Sequence, residues 1–111
     1  MATHTVYAAA TAASNGTSVP HPVFDASRHE WIIVSADNLG AGEEIDIYRL
    51  AGGTYIVAAD ADGVAYKLTG TAATNNAKQI QLAGGGWYQF RKDLTEGECG
   101  IYVDEGPGMN V

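Results

Sequence analysis

Seven short runs of alternating or continuously apolar residues, each closed by a Gly-, Asn- or Asp-bearing turn, follow one another from residue 29 towards the C-terminus. They are His29–Ala36, Glu44–Leu50, Thr54–Ala59, Val64–Thr69, Ala77–Ala83, Trp87–Lys92 and Cys99–Asp104. Strand-length runs at this regular spacing pack as an antiparallel sandwich or barrel. Alternation also assigns faces. In Glu44–Leu50, Ile45 and Ile47 point to a core while Glu44 and Asp46 point to solvent. Ile80 and Leu82 oppose Gln79 and Gln81 in the same way. Trp31-Ile32-Ile33-Val34 is continuously apolar, as expected of a strand covered on both faces. Asp62-Gly63, between two β-branched and aromatic runs, predicts a two-residue hairpin turn with positive φ.

The expected fold is therefore all-β, a single antiparallel β-sandwich of jelly-roll or immunoglobulin-like topology with about seven to nine strands. Its core is expected to include Trp31, Ile33, Ile45, Ile47, Val57, Leu68, Ile80, Leu82, Phe90, Ile101 and Val103. A length of 111 residues makes one domain. Residues 29–104 form its body and 105–111, which have no period, a flexible tail.

Residues 1–28 read as an extended N-terminal strand or arm. Tyr7–Ala13 is rich in small residues but lacks amphipathic spacing, and Ser14-Asn15-Gly16 stops it, so a first strand is expected there. Pro20 and Pro22 flank His21 and deny ladder donors, which places Val19–Val23 on a sheet edge or over a neighbour. Val6, Tyr7, Pro20, His21, Pro22 and Phe24 are the candidate interface residues of this segment.

The net charge of −7, with 6 scattered Lys and Arg residues, argues against nucleic acid, whose phosphates demand clustered cations. No run approaches the roughly 20 apolar residues of a membrane helix. The first residues lack a basic region before an apolar stretch, so no secretory signal is expected and the protein reads as soluble and made in a cytoplasm. Cys99 is the only cysteine, which excludes an intrachain disulfide, and it shares its alternation face with Ile101 and Val103 as a buried, inert thiol would.

No catalytic or metal-binding set emerges, and no cofactor is expected. Asp60-Ala61-Asp62-Gly63 opens like a calcium loop, but the twelfth position is Thr71 where a bidentate Glu is needed. His4, His21 and His29 lack ligand spacing and are expected to be exposed. Glu43-Glu44, Glu96 and Glu98 lie in or near turns, where carboxylates are solvated. Gly52-Gly53 and Gly84-Gly85-Gly86 precede strands rather than helices, so they are not phosphate loops. The aromatics Trp31, Trp87, Tyr48, Tyr55, Tyr66, Tyr88, Phe90 and Tyr102 could form a sugar-stacking platform, but strand aromatics more often serve cores and cross-strand pairs.

From Ala41 to Val103 the chain resembles small virion proteins of tailed bacteriophages. The resemblance is carried by Gly42-Glu43-Glu44-Ile45-Asp46-Ile47, by Ala59-Asp60-Ala61-Asp62-Gly63-Val64-Ala65-Tyr66-Lys67-Leu68-Thr69 and by Thr74-Asn75-Asn76. Gly84-Gly85-Gly86-Trp87-Tyr88-Gln89-Phe90-Arg91-Lys92 and the closing Gly100-Ile101-Tyr102-Val103 complete it. It rests on style and turn spacing over a little more than half the chain. It implies a β-sandwich capsid decoration (cement) protein, or else a neck or tail module. Such a protein is not an enzyme; it clamps neighbouring major capsid subunits on the outer capsid surface, commonly as a homotrimer or homodimer. A carbohydrate-binding module is the other class in view.

Overall fold

The structure, a computed structural model, describes residues 3–10, 22–37, 39–70, 78–92 and 99–108. These residues form nine strands: β1 (Thr3–Ala10), β2 (Val23–Asp25), β3 (Trp31–Ala36), β4 (Glu44–Ala51), β5 (Thr54–Val57), β6 (Lys67–Thr69), β7 (Lys78–Ala83), β8 (Trp87–Lys92) and β9 (Cys99–Glu105). One sheet has the order β1-β9-β3-β7 and the other β2-β8-β4-β5, with β6 also paired to β4. Every pairing is antiparallel. None of the described residues is helical.

The two sheets share one core. From the first come Ile32 and Val34 of β3, Leu82 of β7, and Cys99, Ile101 and Val103 of β9. From the second come Ile45 and Ile47 of β4, Leu68 of β6, and Tyr88 and Phe90 of β8. Register explains the set. Val34 lies opposite Val103 on one side and Ile80 on the other, and Ile47 lies opposite Phe90. Directly opposed residues share a face, so each pairing sends apolar side chains inward together.

Seven expected core residues, Ile45, Ile47, Leu68, Leu82, Phe90, Ile101 and Val103, are buried, and Ile80 packs against them half-buried. Trp31 and Ile33 are corrections. Ile32 and Val34 point inward instead, because an unbroken apolar run carries no phase and the partners Leu82 and Val103 set it. Val57 is a second correction, since it lies opposite Tyr48 on the outer face.

β5 and β6 run in the same direction along one flank of β4, interrupted by an excursion over residues 58–66. A bridge between Ala59 and Ala65 closes that excursion. Its turn spans three residues rather than the two expected, as the Asp60 amide donates to the Val64 carbonyl at 2.9 Å. Gly63 takes the left-handed position (φ 82) and Asp60 Oδ1 accepts from the Asp62 and Val64 amides. Such a turn with a bulged glycine is the next choice after two-residue loops. The two-residue hairpin is Gly52-Gly53, where both residues have positive φ (59 and 83).

The N-terminal region contributes two sheet edges. β1 lies on β9 and β2 on β8; the first strand is described over Thr3–Ala10, and residues 11–13 of the expected Tyr7–Ala13 strand lie outside the described residues. At the C-terminal end, β9 runs one residue past the expected Asp104 boundary. Glu105 belongs to β9, the Gly106 amide donates to the Trp31 carbonyl (3.0 Å), and the Glu30 amide donates to that of Pro107 (2.9 Å).

Candidate binding surface

Alternation in β2, β8, β4 and β5 turns one residue set outward. Val23 pairs with Gln89, Gln89 with Tyr48 and Tyr48 with Val57, which makes a row across the whole sheet. Alongside it stand Trp87, opposite Asp25, and Leu50, opposite Tyr55. Val57 is 50% exposed, Val23 45% and Trp87 40%. Isolated exposed apolar side chains are ordinary on a protein surface, but several on one sheet face make it a candidate interaction surface.

The other end of this face is charged. Asp46 lies opposite Arg91 and Lys67, and Lys67 Nζ stands 3.5 Å from Glu44 Oε2. Arg91 stacks its guanidinium 3.7 Å from the Tyr48 ring centre, and its Nε donates to Gln89 Oε1 at 2.9 Å. The face thus grades from Trp87, Leu50 and Val57 to a mixed-charge border. That composition suits adhesion to a protein or sugar surface.

Behind this face, Arg49 turns inward beside Tyr88. Its Nη1 donates to the Tyr88 hydroxyl, and that hydroxyl donates to the Ala83 carbonyl, both at 2.6 Å. Arg49 Nη2 reaches the Gly84 carbonyl at 3.3 Å. The clamp ties β4 and β8 of one sheet to the end of β7 in the other. Burial pushes the Tyr88 hydroxyl above its ordinary value, against the opposing pull of the Arg49 charge.

A shallow cleft of about 300 Å³ lies elsewhere, lined by Trp31, Glu105, Gly106 and Pro107. His29 borders it half-buried rather than exposed as expected: its Nε2 is 2.8 Å from Glu105 Oε2 and its Nδ1 is 3.3 Å from the Gly106 carbonyl. Both ring nitrogens are taken up by contacts that close the β9 end against residue 29. Among the described residues no group of three or more His, Cys, Asp or Glu side chains could hold a metal ion.

The candidate interface residues that the structure describes fall in two sheets. Tyr7 pairs with Ile101 at the edge of one sheet, and Val6 falls in the register shift between Thr5 and Tyr7. Phe24 belongs to the other sheet, opposite Tyr88, where it packs half-buried against the core. Pro22 is half-buried and its carbonyl accepts from the Phe90 amide (3.0 Å). Pro20 and His21 lie outside the described residues, as do Thr74-Asn75-Asn76, Glu96 and Glu98. What the sequence reading missed was the outer row of β8, β4 and β5. Its signal was the polar phase of each alternation carrying Trp87, Tyr48 and Val57 where charges would be ordinary.

The chain matches no known protein-family profile and no curated protein. Among solved structures it is similar to the crystal structure of the SPBc2 prophage-derived protein YomS, with a TM-score of 0.57 and 18% identity. The likeness covers 92% of this chain and 88% of that one. At this identity what is shared is the fold.

Proposed function

We propose that this chain is a non-enzymatic structural protein of a tailed-bacteriophage particle, and specifically a capsid decoration protein that clamps neighbouring major capsid subunits on the outer head surface. The observation that carries the reading is the likeness in fold to a prophage-derived protein over 92% of the chain. The outer face with Val23, Trp87 and Val57 supports it, as an apolar surface of the kind a docking protein presents.

The strand order supports a jelly roll as the finer description. With β5 and β6 taken as one interrupted strand, each sheet has four strands, and β1 and β2 fall in different sheets. Two sheets of four are the jelly-roll pattern, whereas an immunoglobulin-like sandwich pairs its first two strands in one sheet.

The test uses the full chain and purified, undecorated expanded heads of the phage that encodes it. The protein should sediment with the heads and saturate at a copy number set by the capsid lattice. Retention by tails and not by heads would replace this reading with a neck or tail module. A second reading, a carbohydrate-binding module, is favoured by the exposure of Trp87 beside Gln89. Oligosaccharides that quench wild-type tryptophan emission but not that of Trp87→Phe would support it.

A further inference from the structure

β5 is an edge strand with almost none of the devices that keep edges from pairing. Among the described residues it is hydrogen-bonded to β4 alone. Edges are ordinarily blunted by lysine, proline, a bulge or a covering element. Thr54-Tyr55-Ile56-Val57 has no charge and no proline, and Leu50–Ala59 as a whole contains no charged residue in a chain of net charge −7. Both sides of the strand are also open, with Ile56 51% and Val57 50% exposed.

The hairpin fixes which backbone groups face outward. Thr54 flanks the two-residue loop opposite Ala51, and the Ala58 amide donates to the Ile47 carbonyl (3.0 Å). In an antiparallel ladder the bonded positions alternate, so Thr54, Ile56 and Ala58 turn their groups to β4. Tyr55 and Val57 therefore aim both amide and carbonyl at the free edge.

We propose that the β5 edge is the site at which a second copy of this chain adds, strand to strand, in antiparallel register about a two-fold axis at Ile56. In this register Tyr55 of one copy exchanges backbone bonds with Val57 of the other, and Val57 with Tyr55. Ile56 meets its own symmetry mate as a non-bonded pair. The three central cross-strand pairs are then aromatic with β-branched or β-branched with itself, the combinations that stabilise sheets. Charge selects the partner: two acidic copies repel over most of their surfaces, and this uncharged edge lets them approach. The outer row of Val23, Tyr48 and Val57 ends at this edge, so it would run on into the second copy. The inference concerns self-association alone and stands apart from the virion reading.

Four full-length variants, set against wild type, test it. Wild type at about 100 μM, a concentration that reveals micromolar affinity, should sediment as a dimer. Ile56→Lys sets like charges directly opposite at the axis and should raise the dissociation constant about tenfold or more, with thermal stability unchanged at dilutions where both proteins are monomers. Val57→Lys, on the other side of the strand, puts a charge against Tyr55 of the second copy and should likewise weaken the dimer, which keeps the test open should Ile56→Lys not fold. Non-bonded antiparallel pairs stand about 4.5 Å apart at Cα, within the roughly 4.4–6.8 Å of a disulfide. Ile56→Cys should therefore cross-link into dimers with oxidised glutathione as electron acceptor, well ahead of Val64→Cys, which is 61% exposed but off the edge. Buried Cys99 stays silent. A wild-type monomer or trimer at this concentration, dimers that survive lysine on this strand, or cross-linking at Val64→Cys as fast as at Ile56→Cys would each overturn the proposal.

Discussion

Arg49 donates its Nη1 proton to the Tyr88 hydroxyl at 2.6 Å, and its guanidinium carbon lies 5.1 Å from the centre of the same ring. β4 and β8 are neighbours, so this contact would be a local affair but for the Ala83 and Gly84 carbonyls beyond it. Through them one sheet grips the other at the end that carries Trp87. Removing the guanidinium leaves the Gly84 carbonyl with one donor fewer in a half-buried place. Arg49→Ala should cost about 1–3 kcal/mol, as expected for hydrogen bonds to a charged group. Arg49→Lys should restore little of it, since an ammonium cannot span the hydroxyl and both carbonyls. Urea denaturation midpoints measure both.

Alkaline pH should weaken the fold partly through Tyr88. Burial raises its hydroxyl above the ordinary 10.0, so the folded state holds the proton that the unfolded state has released. This contribution is fully present below pH 10.0 and is lost as pH rises through the folded value. Tyr88→Phe should flatten the stability profile in that window while lowering its plateau. Denaturation midpoints between neutral and strongly alkaline pH, with tyrosinate absorbance as the titration readout, check the sign.

Two glycines should behave oppositely. A Cβ on Gly84 would overlap the His29 carbonyl oxygen, and both neighbours are fixed by the Gly84 amide bond to Glu30. Gly53 has open space around its Cβ and only its positive φ (83) to defend. Gly84→Ala should therefore cost about 4 kcal/mol or more, whereas Gly53→Ala should cost about 1 kcal/mol. Thermal denaturation followed by circular dichroism separates the two.

How much of this was legible follows from what a strand pattern carries. β4 and β9 were read in place with their faces correct, because Ile45, Ile47, Ile101 and Val103 alternate with polar or small residues. β3 was found but set in the wrong phase, since four successive apolar residues name no inward side; only Leu82 and Val103 on neighbouring strands do. The same limit hid the outer face of the β8–β4–β5 sheet. Val57 is apolar by type and was assigned to the core by type, while its exposure follows from its place opposite Tyr48 on the outer face of a terminal strand. His29 was misread because its partners Glu105 and Gly106 are distant in sequence.

The two faces of β4 can be tested side by side. Ile47 is fully buried opposite Phe90, so Ile47→Asp puts an unpaired carboxylate in the core and should exceed a total stability of about 5–15 kcal/mol only if that total is small. At the least it should cost several kcal/mol. Asp46, one position along, faces Arg91 and Lys67 outside, and Asp46→Ala should cost under about 1 kcal/mol. Similar losses in denaturant midpoint for both would contradict the assigned faces.

The capsid reading is tested most directly by heat. A protein that binds the assembled shell and not its free subunits stabilises the shell by RT ln(1 + [L]/Kd) per site, about 2.7 kcal/mol at a hundredfold excess over Kd. Undecorated expanded heads should be scanned by calorimetry with increasing amounts of the full chain. The account predicts a disruption temperature that climbs with added protein and levels off when the lattice sites are full. A disruption temperature that does not move, in heads that retain none of the protein, would contradict it.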